Sequence, residues 1–237
     1  MTSSFEQLTL KIALPDHCRL NNFMFFDHHG VLRNELLGTD SLWLYGAHAV
    51  GKTHLLSAVA AESSGDALYL PAQEMLRQAT PEMLNDLDTV SCLLFDDIDQ
   101  LAADPHWAEA LFHLYNKHQS QGGRWVCSSR TAPRYVDTPL RDLKSRFMIH
   151  TVYELPAYSD DQRAHILRQR ASGRGLRFGD DLIDYFGAHL PRDLVLWMQL
   201  LELLDRASLR TQRKITLPLL KSVLADNPEL SRHGSLC

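Results

Sequence analysis

The sequence predicts an α/β domain, a parallel sheet between helices, followed by a small all-α bundle. Three observations predict it. From Ser41 onward, short apolar runs alternate with stretches that carry helical spacing. A glycine-rich loop, Gly46-Ala47-His48-Ala49-Val50-Gly51-Lys52-Thr53, joins one such run to one such stretch. After Leu155-Pro156 the strand-like runs cease and four helical patterns follow one another.

In order, Ser41–Tyr45 reads as a buried strand and His54–Glu62 as a helix with an apolar stripe. Leu68–Leu70 is a short strand, and Pro71–Leu84 is expected to be helical. Cys92–Phe95 is a buried strand that runs into Asp96-Asp97. Pro105–His118 is an amphipathic helix and Arg124–Cys127 a strand. Leu140–Arg146 starts a helix, and His150–Tyr153 is the last strand. Beyond Pro156, helices are expected over Asp160–Ala171, Gly179–Gly187, Arg192–Leu209 and Leu217–Leu224. Asp160 and Asp161 supply the negative charge a first helical turn favours, and Pro218 sits where a first turn tolerates proline. The expected division is an N-terminal arm over 1–20, the α/β domain over 21–156 and the helical lid over 157–237. The arm, with little core-forming pattern over its first 14 residues, is expected to be flexible.

Composition narrows the function classes. The chain has 237 residues, 45% of them hydrophobic and 22% charged, which are ordinary globular values. No apolar run approaches the ~18 residues of a membrane span, and Met1–Lys11 lacks a signal-peptide layout. Cys18, Cys92, Cys127 and Cys237 are scattered with no C-x-x-C pair, which suits reduced thiols in a cytoplasm rather than a disulfide framework or zinc site. The histidines form no metal-ligand pattern, and His28-His29 reads as a surface loop. A net charge of −5 argues against strong direct binding to duplex DNA, and no helix-turn-helix signal is evident.

The loop fits G-x-x-x-x-G-K-[ST] between a strand and a helix, the setting a phosphate-binding loop needs. Gly46 and Gly51 let the backbone curl so that its N–H groups, those of Ala49 and Val50 among them, point at phosphate oxygens. Lys52 would reach the β- and γ-phosphates and Thr53 would offer its hydroxyl to Mg²⁺. The helix N-terminus, with His54 in its first turn, places partial positive charge behind the anion. An apolar strand ending in acids is the second half of such a site. Asp96 would hold Mg²⁺ through water, and Asp97 would polarise an attacking water. Ser128 and Ser129, after the strand Trp125–Cys127, are candidates to sense the γ-phosphate. Arg146 presents a rigid five-donor fork suited to phosphate oxygens and able to act in trans on a neighbour's nucleotide. Arg192, expected to begin a helix of the bundle, would reach back to this chain's own phosphates. Phe23, in the aromatic-rich Asn22–Phe26 segment, would line the base pocket.

Taken in order, Asn22-Phe23, Gly46–Thr53, Phe95-Asp96-Asp97-Ile98, Leu143-Lys144-Ser145-Arg146-Phe147, Pro191-Arg192-Asp193-Leu194 and Ile215-Thr216-Leu217 resemble the AAA+ ATPases, and more closely their DnaA branch. The resemblance spans residues 20 to about 225. It implies that Arg146 is the arginine finger, Arg192 the sensor-2 arginine, and Ser128 and Ser129 the sensor-1 region. Several departures stand out. Ser129 occupies a sensor-1 position where the family tends to carry an acid, which puts the chain's own hydrolysis in doubt. The interval Pro71–Ser91 is short for the family's single-strand-binding insertion. The sequence ends at Cys237 without the family's DNA-binding helix-turn-helix domain.

The arm carries Gln7-Leu8-Thr9-Leu10-Lys11-Ile12, which is similar to the peptide that binds the bacterial sliding clamp. Gln7 would hydrogen-bond the rim of a pocket that takes Leu8 and Leu10, ordering on binding. The combined expectation is a negative regulator of chromosomal replication initiation. It would bind ADP or ATP with Mg²⁺, dock on the clamp of DNA polymerase and stimulate hydrolysis by the DnaA initiator through Arg146. Self-association, as a homodimer or higher, is expected. The alternative is an autonomous ATPase that remodels another replication factor, in the manner of a helicase loader.

Overall fold

The computed structural model describes residues 18–63, 65–212 and 214–230. The Gln7–Ile12 segment lies outside the described residues. Two compact units are present. One takes in the described residues up to Ala47 together with Gly51–Pro156, and the other takes in His48–Val50 and the residues from Ala157 onward.

The first unit holds five parallel strands, β1 (Leu42–Tyr45), β2 (Ala67–Pro71), β3 (Cys92–Asp96), β4 (Arg124–Ser129) and β5 (Thr151–Glu154), in the order β2-β3-β4-β1-β5. Helix α1 (Leu32–Leu36) precedes them, and between them lie α2 (Lys52–Glu62), α3 (Ala72–Gln78), α4 (Ile98–Ala102), α5 (Pro105–Ser120) and α6 (Arg141–Phe147). The central strands β3 and β4 are buried along nearly their whole length. That is why Cys92–Phe95 reads as an unbroken apolar run rather than an alternation. The edge strand β5 is largely exposed. The sheet brings Trp43, Phe95, Trp125, Leu111 and Phe147 into one core.

A buried histidine and a half-buried arginine lock this unit. His118 of α5 donates through Nε2 to the Val90 carbonyl at 2.6 Å, and its Nδ1 accepts the Trp125 indole N–H at 3.0 Å. A side chain at Gly123 would lie 2.1 Å from this imidazole, so only glycine fits there. Arg124 donates to the Glu35, Leu36 and Asp40 carbonyls, closing the C-terminal end of α1.

Several elements differ from expectation. The Pro71–Leu84 helix is broken: α3 ends at Gln78, Ala79 and Thr80 are extended, and a 3-10 turn covers Pro81–Leu84. Pro81 has no N–H for a continuing helix and drives Thr80 out of the helical region. His29 is buried rather than on a surface loop; its Nδ1 accepts the Phe26 N–H at 2.8 Å. Burial, reinforced by His28, pushes its pKa down to about 4.

The second unit is helical: α7 (Asp160–Gly173), α8 (Asp180–His189), α9 (Leu194–Thr211) and α10 (Leu217–Asp226). Phe186, Trp197, Leu200, Leu204 and Leu220 centre its core. Ser159 caps α7, with Gln162 returning the bond to the Ser159 N–H. Asp193 caps α9 by accepting from the Val195 and Leu196 N–H groups. That helix therefore starts at Leu194, and Arg192 precedes it rather than beginning it.

Candidate functional site

The glycine loop follows β1 and leads directly into α2. Gly51 has φ +97°, a region that glycine enters without cost, and forms the N-terminal boundary of the helix. Ala49 adopts φ +62° despite its Cβ, a conformation that costs an L-residue about 1–2 kcal/mol. Such strain is characteristic of ligand-holding loops. Lys52 is buried, and its ammonium donates to the Gly46 carbonyl at 2.7 Å and the Ala47 carbonyl at 2.8 Å. Thr53, beside it in the first turn of α2, is exposed. Within the second unit, the Tyr158 hydroxyl donates to the Val50 carbonyl at 3.0 Å.

At the end of β3, Asp96 is buried and each of its oxygens accepts a hydrogen bond. Ser128 Oγ donates to Oδ1 at 2.5 Å, and the Tyr69 hydroxyl donates to Oδ2 at 2.7 Å. Ser128 Oγ also accepts the Asp97 N–H at 2.8 Å, so one hydroxyl ties the two acids to β4. Asp97 has φ +56° and stands at the N-cap position of α4 without a side-chain capping bond. Gln100 Nε2 donates to its Oδ2 at 3.4 Å. Asp99 accepts the Arg130 N–H through Oδ2 at 3.3 Å, while among the described residues its buried Oδ1 has no hydrogen-bond partner.

These groups act on one another. Burial lowers the Lys52 pKa, and Asp97, Asp96 and Asp99 oppose that fall. Burial raises the Asp97 carboxyl, helped by Asp96 and Asp99 and opposed by Lys52. Asp99 is raised by burial as well. The charges of three acids thus bear on one buried ammonium, and among the described residues one of these acids, Asp99, has a buried oxygen without a hydrogen-bond partner. Among the described residues no group of three or more acids, histidines or cysteines is placed to hold a metal by itself, but the Asp96 carboxylate and the exposed Thr53 hydroxyl are hard oxygen donors that fit Mg²⁺ held largely through water. Asp96 and Thr53 are the residues that would hold it. Bound there, it would neutralise phosphate charge.

Of the sequence-predicted residues, the first unit brings together Lys52, Asp96, Asp97 and Ser128. Ser129 points its hydroxyl elsewhere, accepting from Trp43 Nε1 at 2.7 Å and donating to the Thr131 carbonyl. Phe23 is buried with its ring 5.7 Å from that of His54, so those two candidates adjoin. Arg146 is exposed at the end of α6, and among the described residues its guanidinium makes no hydrogen bond or ion pair. Arg192, in the second unit, donates to Asp160 Oδ2 at 2.8 Å. Gln7, Leu8 and Leu10 lie outside the described residues. Sequence reasoning missed Tyr69 and Asp99. Tyr69 becomes visible only once β2 is known to pair with β3; Asp99 is visible as a third acid two residues after Asp97.

A family model for the bacterial DnaA ATPase domain matches residues 20–153, more than half of the chain. A second, for the Hda lid domain, matches residues 160–224. Among solved structures, domain III of the Thermotoga maritima replication initiation protein DnaA is similar at 20% identity and TM-score 0.76, covering 90% of this chain and 98% of that one. AMPPCP-bound DnaA from Aquifex aeolicus is similar at 19% identity and TM-score 0.70, covering 91% of this chain and 71% of that one. The Thermotoga maritima RuvB branch-migration motor shares the fold at 15% identity and TM-score 0.65, covering 88% and 72%. The chain belongs to the bacterial DnaA family of AAA+ ATPases, and its lid is of the Hda type.

Proposed function

We propose that this chain is a cytoplasmic negative regulator of replication initiation that activates ATP hydrolysis in DnaA rather than completing it alone. Membership of the DnaA ATPase-domain family implies nucleotide binding, and an Hda-type lid implies regulation of DnaA. The observation that carries the finer reading is Arg146. A guanidinium left exposed and without an ion pair on the described surface is available to a neighbour's γ-phosphate. Inserted there, it would stabilise transition-state charge, an effect worth roughly 10³–10⁵ in rate in arginine-finger systems.

Within this chain, Lys52 would leave the Gly46 and Ala47 carbonyls for the phosphates of ADP or ATP. Asp96 and Thr53 would hold Mg²⁺, and Phe23 with His54 would border the base. Arg192 would act as the lid's phosphate sensor. Gln7, Leu8 and Leu10 would tether the protein to the sliding clamp, and self-association would set which Arg146 faces which nucleotide. The gathered Lys52, Asp96, Asp97 and Ser128 also support the second reading, an autonomous ATPase with Asp97 as base.

Single-turnover hydrolysis by ATP-loaded DnaA, with and without this protein and clamp-loaded DNA, separates the two. The proposal expects hydrolysis to accelerate only with both added and this protein alone to turn over slowly. Fast turnover by this protein alone, with no effect on DnaA, favours the second reading.

A further inference from the structure

Tyr69 lies on the edge strand β2 and pairs in register with Leu94, two residues before Asp96 on β3. Its side chain leans along the strand, as strand side chains do, far enough for its hydroxyl to reach Asp96 Oδ2 at 2.7 Å. A carboxylate oxygen offers only acceptors, so the phenol hydroxyl is the donor in this bond. Ser57 of α2 lies beside the same hydroxyl. Tyr69 therefore stands between the helix that carries Lys52 and Thr53 and the strand that carries Asp96.

A carboxylate has about four acceptor positions. Ser128 fills one on Oδ1 and Tyr69 fills one on Oδ2. Gripped on both oxygens by neutral donors, the carboxylate is held against rotation about its terminal bond. One acceptor position on each oxygen is left for a hydrated cation.

We propose that Tyr69 is a positioning residue for the Mg²⁺ that accompanies the nucleotide, acting through the orientation of Asp96. The proposal rests on the nucleotide-binding reading of this site. Losing such an outer partner costs roughly 10–100-fold in metal affinity in other sites.

The test is the affinity for a fluorescent ADP analogue, measured with Mg²⁺ and with EDTA. Native protein, Tyr69→Phe, Asp96→Asn and the double variant are compared. Tyr69→Phe should keep the EDTA affinity and lose about tenfold of the gain that Mg²⁺ gives. In the Asp96→Asn background the same change should have no further effect on that gain. An Mg²⁺ gain unchanged in Tyr69→Phe, or a loss that persists without the Asp96 carboxylate, overturns the inference while leaving nucleotide binding intact. Failure of the native chain to bind the analogue at all overturns the underlying reading and the inference with it.

Discussion

Ser128 and Ser129 are adjacent and fully buried, yet their hydroxyls hold different parts of the molecule. Ser128→Ala removes a bond to the Asp96 carboxylate and the acceptor for the Asp97 N–H. A hydrogen bond to a charged group is worth about 1.5–3 kcal/mol, and an orphaned buried N–H costs about 1–3 kcal/mol. Tyr69 still holds the other oxygen, and Asp97 is only half-buried, so water relieves part of the loss. The net is about 2–3 kcal/mol. Ser129→Ala removes a neutral bond, but the Trp43 indole N–H keeps the Thr131 carbonyl at 3.2 Å, so the cost is about 1 kcal/mol. At roughly 2–4 °C per kcal/mol for a domain of this size, Ser128→Ala should melt about 4–12 °C lower and Ser129→Ala about 2–4 °C lower. Thermal unfolding by circular dichroism, with labelled-nucleotide titrations in Mg²⁺, measures both effects. Only Ser128→Ala should weaken Mg²⁺-nucleotide binding. Equal melting shifts, or a larger nucleotide defect in Ser129→Ala, would refute the assignment of Ser128 as the group that organises the acids.

The remaining expectations concern the loop, the buried histidines and the arm. Ala49→Gly relieves the positive φ and should stabilise the nucleotide-free protein by about 0.5–1 kcal/mol, read as a melting shift of a few degrees; a destabilised variant would contradict it. Gly123→Ala forces the His118 ring off Val90 and Trp125 and should cost about 2–4 kcal/mol by the same melt. His150 is buried, and its pKa is pushed down from 6.5 to about 4. Between those values the unfolded chain binds a proton at this site that the fold refuses, so His150 should contribute about 3 kcal/mol to the loss of stability as pH drops through this window, with His29 adding to it. Urea denaturation from pH 7 to 4 checks this, with His150→Phe showing a shallower dependence. Gln7→Ala/Leu8→Ala should abolish retention on immobilised sliding clamp; equal retention would remove the tether.

How much was legible follows from distance along the chain. The phosphate loop and the Asp96-Asp97 strand end are local patterns, and each half of the site is contained in about ten residues. So are the acidic first turn of α7 and the proline of α10. Tyr69 contacts Asp96 across 27 residues, and its role depends on β2 pairing with β3, which no local period encodes. The short α1 escaped because it has no side-chain cap, and Arg124, far along the chain, closes its end. The broken helix after Gln78 was readable in principle, since Pro81 was in view, but the apolar spacing through Leu84 masked it. The burial of His29 depends on Phe23, Phe25 and Phe26 folding around it.

Arg146→Ala tests the central claim most directly. The variant should fold, bind nucleotide as the native protein does and be retained on the clamp. Its stimulation of DnaA-bound ATP hydrolysis should fall by roughly 10³ or more, to the level seen without it. Stimulation within a few fold of native would mean that the catalytic charge comes from elsewhere.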